Sequence, residues 1–352
     1  MSKSRSMLKL AILYQAHKPP VFDGILKPMK HGGYSDSGAD IAFALKDEID
    51  LVLPADQAEE TSDVDWVFPD TTEGIQQAID KGATHFWLNT LLYGGHPAEP
   101  FMDGSRYWIG QLPALVGKHD DKNLTNEFLH ESGIPISRSL IFEKDTLDVK
   151  EKPPFPLVIK PIRGRGSKGV KVVENRNQFI RESLNLLDSK RFGDKMMVES
   201  FLPGQEITMA VMPAGNYLID GKEVEKAEAW SLPPVKRENH IKGIAPYSGI
   251  VPVSHNSYAI ENEGLEEPNL KQIIKEATRV GQALDIRAPI RLDARQNAEG
   301  RYFIFDVNFK PNMTGASREH RKKQDSLVMI AARSMGWTYK DLLKNILRQA
   351  WK

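Results

Sequence analysis

The fold of this chain is decided by residues 290–311, which read IRLDARQNAEGRYFIFDVNFKP. Both ends of this stretch alternate with period two, as β-strands do, and NAEG at 297–300 has the composition of a turn. If Asp293 pairs with Asp306 in a hairpin, Arg291 stands opposite Asn308, and all four side chains share one face. The other face, predicted to be core, carries four apolar side chains: Phe303, Phe305, Val307 and Phe309.

Two carboxylates, an amide and a guanidinium on one face indicate a site for a divalent cation with a phosphate beside it. Mg²⁺ prefers carboxylate and amide oxygens, and the guanidinium would face the anion. A hairpin with one polar and one apolar face is also common as an ordinary solvated sheet surface. The pattern therefore needs support from elsewhere in the chain.

Composition narrows the class of protein. A chain of 352 residues is long enough for two or three domains, and 47 basic residues balance 47 acidic ones. The balance argues against general binding to nucleic acid or to an anionic membrane surface. There is no cysteine, which excludes disulfides and thiol chemistry. The first apolar run is short and contains Lys9, so it is interpreted as a strand rather than a signal peptide. No apolar run is long enough to span a bilayer, and a cytoplasmic protein is therefore expected.

The chain divides into three predicted domains: 1–117, 118–201 and 202–352. The first alternates short apolar segments with helical patterns, which predicts a parallel α/β layer without a GxGxxG dinucleotide turn. Its loop at 17–35 is either functional or disordered. The second contains a helix that Asp120 or Asp121 caps and that ends at Gly133, strands at 156–160 and 196–201, and a helix capped by Asn175. The third contains a strand at 206–212, a polar stretch to about 255, a helix at about 270–285, the hairpin and two terminal helices, giving an α+β character to this part. The last helix starts with a capping box at Thr338–Asp341.

A glycine-rich loop follows the strand that ends at Lys160. It reads KPIRGRGSKGV at 160–170, so backbone N–H groups can approach an anion closely while Lys160, Arg163, Arg165 and Lys168 supply positive charge. A strand rather than a helix follows, which distinguishes the loop from a P-loop and predicts a flap over phosphates. A basic hairpin tip without a ligand is the alternative.

An acidic pair flanks the next turn. Glu199 ends one predicted strand and Glu206 begins the next, on either side of Pro203-Gly204. Carboxylates there can accept hydrogen bonds from an adenine amino group and from ribose hydroxyls. Glutamates at exposed strand ends are also common without any ligand.

These elements, in this order, resemble the ATP-grasp superfamily, and within it the D-alanine–D-alanine ligase family. The resemblance covers most of the chain from Asp121 onward. It is carried by Asp121-Lys122, by KPxxxxGSKG at 160–169, by Glu199 and Glu206, by the RxD…DxN hairpin, and by PNMTxxS at 311–317.

The resemblance implies a three-domain ATP-grasp architecture and an enzyme that uses ATP and Mg²⁺. Two metal ions are expected at the site, and Mn²⁺ is the alternative to Mg²⁺. It implies phosphate contacts from Lys122, Lys160, Gly166, Ser167, Lys168 and Gly169, adenine and ribose contacts from Glu199 and Glu206, metal ligands Asp293, Asp306 and Asn308, catalytic roles for Arg291 and Ser317, and a substrate contact from Asn312. The substrates would be a small carboxylate and an amine, joined through an acylphosphate, and the protein could form a homodimer.

The sequence also departs from the family. The family carries a glutamate in a GGxSxExxxS pattern, whereas residues 32–38 here read GGYSDSG, and its HGxxGEDG segment is replaced by YGGHPAE at 93–99. Asp306 stands in place of a glutamate and Asn312 in place of a glycine. We therefore expect the ligase chemistry with a donor other than D-alanine. A true D-alanine–D-alanine ligase, an ATP-grasp kinase and a non-catalytic nucleotide-binding regulator remain alternatives.

Three further residues are candidates for substrate contact. Arg237 and His240 lie in the polar segment 232–246, where the family has a mobile loop, and His96 follows a predicted strand. A solvated loop and a structural histidine are the alternatives.

Overall fold

The computed structural model describes residues 8–148, 152–246, 252–260 and 263–352. The first region is an α/β layer with a parallel sheet of order β4-β1-β6-β7, to which β5 adds beside β1, as predicted. Residues 1–7, which precede the first strand, lie outside the described residues. The elements are β1 (Lys9–Tyr14), β2 (Val21–Phe22), β3 (Ile25–Leu26), α1 (Ser35–Leu45), β4 (Asp50–Leu51), β5 (Phe68–Pro69), α2 (Thr72–Asp80), β6 (His85–Asn89), β7 (Tyr107–Ile109) and α3 (Pro113–Lys118).

The predicted loop at 17–35 has a structure of its own. Strands β2 and β3 form a small antiparallel hairpin, and a 3-10 turn, His31–Tyr34, leads into α1. Gly33 is required in this turn, because a Cβ there would lie 1.7 Å from the carbonyl oxygen of Gln15. The segment thus turns back tightly against the end of β1.

The second region is a four-stranded antiparallel sheet of order β10-β9-β11-β8 with helices beside it. Both predicted caps are present: the Asp121 side chain accepts from two backbone N–H groups of α4, and the Asn175 side chain accepts from Gln178 N. Gly133, at φ +70, ends α4 as expected. The elements are α4 (Lys122–Glu131), β8 (Ser139–Phe142), β9 (Leu157–Pro161), β10 (Lys171–Val173), α5 (Arg176–Asp188) and β11 (Met196–Ser200).

The third region is built on a sheet of order β17-β16-β12-β18-β19, with β15 beside β12, and a separate hairpin β13-β14. The stretch to 255, for which only a polar composition was predicted, therefore contains four strands, β13 to β16, among its described residues. The capping box predicted at Thr338 and Asp341 is present. The elements are β12 (Glu206–Met212), β13 (Gly215–Ile219), β14 (Lys222–Lys226), β15 (Trp230–Ser231), β16 (Val235–Arg237), β17 (Ser257–Ala259), α6 (Pro268–Ala283), β18 (Ile290–Gln296), β19 (Tyr302–Asn308), α7 (Leu327–Ser334) and α8 (Tyr339–Leu347).

The β18–β19 hairpin has the predicted register at its functional end. Asp293 pairs with Asp306, and Arg291 pairs with Asn308. The register then shifts, because Ala294 pairs with Ile304 and leaves Phe305 as the extra residue of a β-bulge.

The bulge makes the predicted apolar face wrong for two of its four residues. Beyond the bulge the core side chains of β19 are Tyr302 and Ile304, whereas Phe303 pairs with Arg295 and Phe305 lines the cavity described below. Val307 and Phe309 pack against the core as expected. Strict alternation fails because one inserted residue reverses which face each neighbour occupies.

One hydrophobic core crosses the predicted domain boundaries. Leu10 and Ile12 of β1 share a cluster of buried residues with Met212 of β12 and with Leu343 and Ile346 of α8. At the sheet edge, Trp108 also exchanges two backbone hydrogen bonds with Trp351 (2.7 and 3.0 Å). The first and last parts of the chain therefore pack as a unit. The helices in the described part of the chain are all too short or too polar to span a bilayer.

A buried ion network joins the segment after the hairpin to α1. The side chains of Arg318 and Asp40 are both 0% exposed, and Arg318 Nε donates to Asp40 Oδ1 at 3.0 Å. The same guanidinium bonds Asp63 at 2.7 Å and donates to the carbonyls of Glu60 and Asp36. A buried charge this well partnered fixes the position of its segment, because any shift leaves it without compensation.

Replacing Arg318 by Met is expected to lower the free energy of unfolding by roughly 3–5 kcal/mol, since the carboxylate of Asp40 would lose part of its compensation in a buried site. The control is Arg348→Met, which removes an exposed pair with Glu223 at 3.2 Å and should cost about 0–1 kcal/mol. Urea unfolding followed by tryptophan fluorescence measures both. Equal unfolding midpoints for the two variants would contradict the assignment.

Candidate active site

A cavity of about 910 Å³ opens between the three regions. The glycine-rich loop forms its roof, strands β9 and β11 form one wall, and the β18–β19 hairpin forms its floor. The sequence-predicted residues that line it are Lys122, Lys160, Gly166, Ser167, Lys168, Glu199, Glu206, Arg237, Arg291, Asp293, Asp306, Asn308 and Asn312. Residues from separate parts of the sequence thus meet at one cavity.

The acidic residues of the floor are paired with cations. Asp293 accepts from Arg291 Nη2 at 2.8 Å on one oxygen and from Thr208 Oγ1 at 2.6 Å on the other. Asp306 pairs with the ammonium of Lys122. The two carboxylates are therefore held in place by groups that neutralise their charge.

The pKa values of the floor show this balance. Burial alone would raise the pKa of Asp306, but the charges of Lys122, Lys160 and Arg291 outweigh it and lower that pKa. Burial opposes the charged form of Arg291 as well, yet Asp293 and Asp306 raise its pKa above the ordinary value. Asp306 and Arg291 are thus both held in their charged forms at neutral pH.

The floor is suited to a hard divalent cation that also binds a phosphate. It offers two carboxylates on paired rungs and the amide of Asn308 beside them, the oxygen donors that Mg²⁺ prefers. In the described parts of the chain no group of three or more His, Cys, Asp or Glu side chains could hold a metal by itself. The remaining ligands would therefore come from water and from a phosphate, as is usual for Mg²⁺ in phosphoryl-transfer sites.

The glycine-rich loop has the strand–loop–strand form predicted for a flap. It connects β9 with β10, and Ser167, Gly166 and Gly169 all adopt positive φ. Gly169 does not line the cavity. It lies at the base of the flap instead, where a Cβ would come within 2.8 Å of Pro161 Cγ. The exposed tip carries Lys168.

Glu199 lies in the wall of the cavity with its carboxylate already engaged. Lys160 Nζ lies 2.8 Å from it, and Asn126 Nδ2 donates to it at 3.3 Å. Burial raises the pKa of Glu199 despite this lysine. Lys160 also donates to the carbonyl oxygen of Phe305 at 2.9 Å, so the bulge residue and the wall are joined through one ammonium.

Glu206 is partnered by the segment that follows it. His240 Nε2 lies 2.8 Å from Glu206 Oε2, and Arg295 Nη1 lies 3.7 Å from the same oxygen. His240 itself does not line the cavity. Arg237 does line it. Burial lowers the pKa of Arg237, and its buried Nε has no hydrogen-bond partner.

Besides Gly169 and His240, two further predicted residues, His96 and Ser317, do not line the cavity. His96 is buried, with Nε2 3.2 Å from Asp70 and Nδ1 accepting from Ala98 N, so both ring nitrogens serve the N-terminal layer. Ser317 donates to the carbonyl oxygen of Asp40 at 3.0 Å and does not line the cavity either. The structure therefore does not bring the expected substrate contact His96 or the expected catalytic Ser317 to this site.

The structure adds cavity residues that the motifs had not indicated as site residues. Lys310 donates to Asn89 Oδ1 at 2.7 Å and lies over the ring of Tyr34. Burial, followed by the charges of Lys30 and Arg165, lowers its pKa to about 7. Lys27, also unanticipated, pairs with Asp120 beside the flap. Lys310 follows Asn308 by two positions, so strand alternation alone would have pointed it into the site.

Comparison with known proteins assigns the family. A profile described as "D-ala D-ala ligase C-terminus" matches residues 129–348, which is more than half of the chain. D-alanine--D-alanine ligase from Aquifex aeolicus (strain VF5) is 28% identical over 230 residues, which is 64% of this chain and 68% of that protein. The enzyme of the same name from Pseudomonas putida (strain GB-1) is 27% identical over 232 residues, which is 65% of this chain and 64% of that protein. These alignments thus span about two thirds of each relative.

Solved structures show the same fold over nearly the whole chain. The match to the structure of D-alanine--D-alanine ligase from Bacillus anthracis complexed with ATP covers 97% of this chain and 96% of the ligase chain. Its TM-score is 0.62, at 18% sequence identity. The match to the VanG D-Ala:D-Ser ligase from Enterococcus faecalis has a TM-score of 0.59 at 14% sequence identity. It covers 97% of this chain and 98% of the VanG chain. By its fold and by the profile match, this chain belongs to the D-alanine–D-alanine ligase family of ATP-grasp ligases.

Proposed function

We propose that this protein joins a small carboxylic acid to an amine, using ATP and Mg²⁺, through an acylphosphate intermediate. One observation carries the proposal. The paired carboxylates Asp293 and Asp306, with Arg291 and Asn308 on the same face, lie across one cavity from a basic glycine-rich flap. A nucleotide triphosphate and a carboxylate would meet between them.

The first step transfers the terminal phosphoryl group of ATP to an oxygen of the substrate carboxylate, and ADP leaves. Lys122, which pairs with Asp306 of the floor, and Lys160, in the wall, would neutralise the charge that spreads over the transferred group. N–H groups of the flap around Gly166 and Ser167 would bind phosphate oxygens from above. Mg²⁺, when bound by Asp293, Asp306 and Asn308, supplies charge neutralisation between the phosphates.

In the second step the nitrogen of the amine attacks the acyl carbon of the acylphosphate. The C–O bond to the phosphate breaks, inorganic phosphate leaves, and the nitrogen loses a proton. Arg291 would stabilise the negative charge on the tetrahedral intermediate, because its guanidinium lies at the cavity floor with its charge fixed by Asp293. Closure of the flap over the cavity would keep water from hydrolysing the acylphosphate.

The proposed donor is a carboxylic acid other than D-alanine. The relatives carry the name D-alanine--D-alanine ligase, but residues 32–38 contain no glutamate that could bind an ammonium group. The carboxylate in that stretch, Asp36, is already paired with Lys30 at 2.9 Å and with Arg321 at 3.3 Å. A zwitterionic donor would therefore find its ammonium partner occupied.

The reaction class can be tested without knowledge of the amine. The protein is incubated with ATP, Mg²⁺, a pool of carboxylic and amino acids and hydroxylamine, which converts an acylphosphate to a hydroxamate. We expect phosphate release that depends on the added carboxylic acid, together with an equal amount of a new hydroxamate. A phosphate assay measures the first product, and mass spectrometry measures the second. A stable phosphorylated product without hydroxamate would indicate a kinase. ATP binding without turnover of any acid would indicate a regulator.

Asp293→Asn should reduce kcat/KM by at least about 10²-fold, because loss of a metal-bound charge removes several kcal/mol of transition-state stabilisation. The amide can still accept from Thr208, so the fold should be retained. Asp220→Asn, in the exposed turn between β13 and β14, removes the same charge away from the cavity and should leave activity unchanged. Full activity of Asp293→Asn would overturn the metal assignment.

Arg291→Lys should lower kcat by roughly 10²–10³-fold, because a lysine cannot place the same donor at the developing oxyanion. The charge beside Asp293 is kept, so the KM for ATP should change little. Steady-state kinetics with hydroxylamine as the amine separates the two parameters. A variant with unchanged kcat and a raised KM for ATP would show that Arg291 serves nucleotide binding instead.

A further inference from the structure

Three cations from the three regions of the chain surround the ring of Tyr34. Lys310 Nζ lies 4.5 Å from the ring centroid, Lys30 Nζ lies 5.2 Å from it, and the guanidinium carbon of Arg165 lies 5.5 Å from it. Lys30 precedes α1, Arg165 belongs to the flap, and Lys310 follows the hairpin. All four residues line the 910 Å³ cavity.

The positive charge of this cluster is only partly balanced by protein carboxylates. Lys30 pairs with Asp36 at 2.9 Å, and Arg321, which also pairs with Asp40, lies 3.3 Å from the same Asp36 carboxylate. Among the ion pairs of the described residues, none includes Arg165 or Lys310. The ammonium of Lys310 donates to the neutral amide of Asn89 and lies over the ring of Tyr34.

Like charges repel one another, and the repulsion is stronger at Arg165 and Lys310, which are partly buried, than at Lys30, which is exposed. The ring of Tyr34 offsets only part of this, because a cation–π contact is weaker than a pairing with an anion. An anion bound beside these side chains, all of which line the cavity, would offset the repulsion.

The location indicates a substrate rather than the nucleotide. Asn89 is the last residue of β6, a parallel strand, and the crevice at the carboxyl ends of parallel strands is where ligands bind in open α/β sheets. Asn89 also donates to the carbonyl oxygen of Tyr34 at 2.9 Å. Tyr34 has φ 69, a left-handed conformation that a tyrosine rarely adopts and that is often kept at binding sites.

We propose that Lys30, Arg165 and Lys310 form an anion subsite that binds a second acidic group of the carboxylic-acid substrate. The donor would then be a dicarboxylic or a phosphorylated carboxylic acid. This inference rests on the proposed function, which places the reacting carboxylate over the hairpin floor. Because each cation comes from a different region, the bound anion would also hold the flap and the N-terminal layer closed over the floor.

Calorimetry on the full chain tests the subsite without turnover. With Mg²⁺ and the β,γ-imido analogue of ATP present, matched acids are titrated: succinate against butyrate, glutarate against valerate, aspartate against alanine, and 3-phosphoglycerate against glycerate. At least one acid with two anionic groups should bind about tenfold or more tightly than its partner. Lys310→Met should remove this preference, Lys310→Arg should keep most of it, and Lys222→Met, at an exposed position in β14, should leave it unchanged.

Three outcomes would overturn the subsite. The first is the absence of any preference for the doubly acidic partner across the four pairs, and the second is a preference that Lys310→Met leaves intact. The third is a Lys310→Met variant that binds the imido analogue more weakly but ADP equally well, which would assign the cluster to the terminal phosphate of the nucleotide.

The proposed ligase reaction is judged separately by the hydroxamate assay. Preferential binding of a diacid without hydroxamate would support the subsite and contradict the ligase. Hydroxamate formed equally well from acids with one and with two acidic groups would support the ligase and contradict the subsite.

Discussion

The arrangement of the whole site depends on the buried guanidinium of Arg318. A fully buried arginine is tolerated only where carboxylates and carbonyls surround it, and these partners come from α1 and the segment after it. The residues before Arg318 are thereby held against α1. Thr314 donates to Asp40 in the same network, and Arg321 pairs with that carboxylate at 2.8 Å. The N-terminal layer and the segment after the hairpin are thus held against each other by buried charges that compensate one another.

The same logic governs the cavity. Both carboxylates of the floor are paired with a cation, Asp293 with Arg291 and Asp306 with Lys122, and the wall carboxylate Glu199 is paired with Lys160. In a site of low dielectric these pairs hold the side chains near the positions at which phosphates and Mg²⁺ would use them. When ligands enter, each lysine can exchange a carboxylate for a phosphate, and the carboxylate can exchange an ammonium for a metal ion. The charges are therefore arranged before the ligands arrive, and little reorganisation is needed.

The sequence was sufficient where the physical cause is local. Strand alternation determined which residues of the hairpin face each other, and caps at Asp121, Asn175 and Thr338 determined where helices begin. The bulge at Phe305 could not be anticipated, because nothing in the alternation of β19 marks the inserted residue. His96 and Ser317, which the sequence assigned to the site, do not line the cavity, and the reason is different. Their hydrogen-bond partners, Asp70 and Asp40, are distant in sequence, and only the tertiary fold shows that these partners occupy their polar atoms. Gly169 has a local role at the base of the flap that a motif cannot distinguish from a phosphate contact.

The two halves of the cavity also differ in how far they constrain the substrate. The floor needs carboxylates, an amide and a guanidinium for phosphoryl transfer whatever acid is activated, and it retains them. Under the proposed function, the side toward the N-terminal layer would contact the rest of the substrate. Residues 32–38 contain no glutamate there, while Lys30, Arg165 and Lys310 lie around the ring of Tyr34. A change in local charge on that side would alter which substrates are stabilised without altering the chemistry on the floor, because specificity is a difference in binding free energy between competing substrates. The proposed subsite would therefore favour an acid with a second anionic group over one that places an ammonium group at the same position.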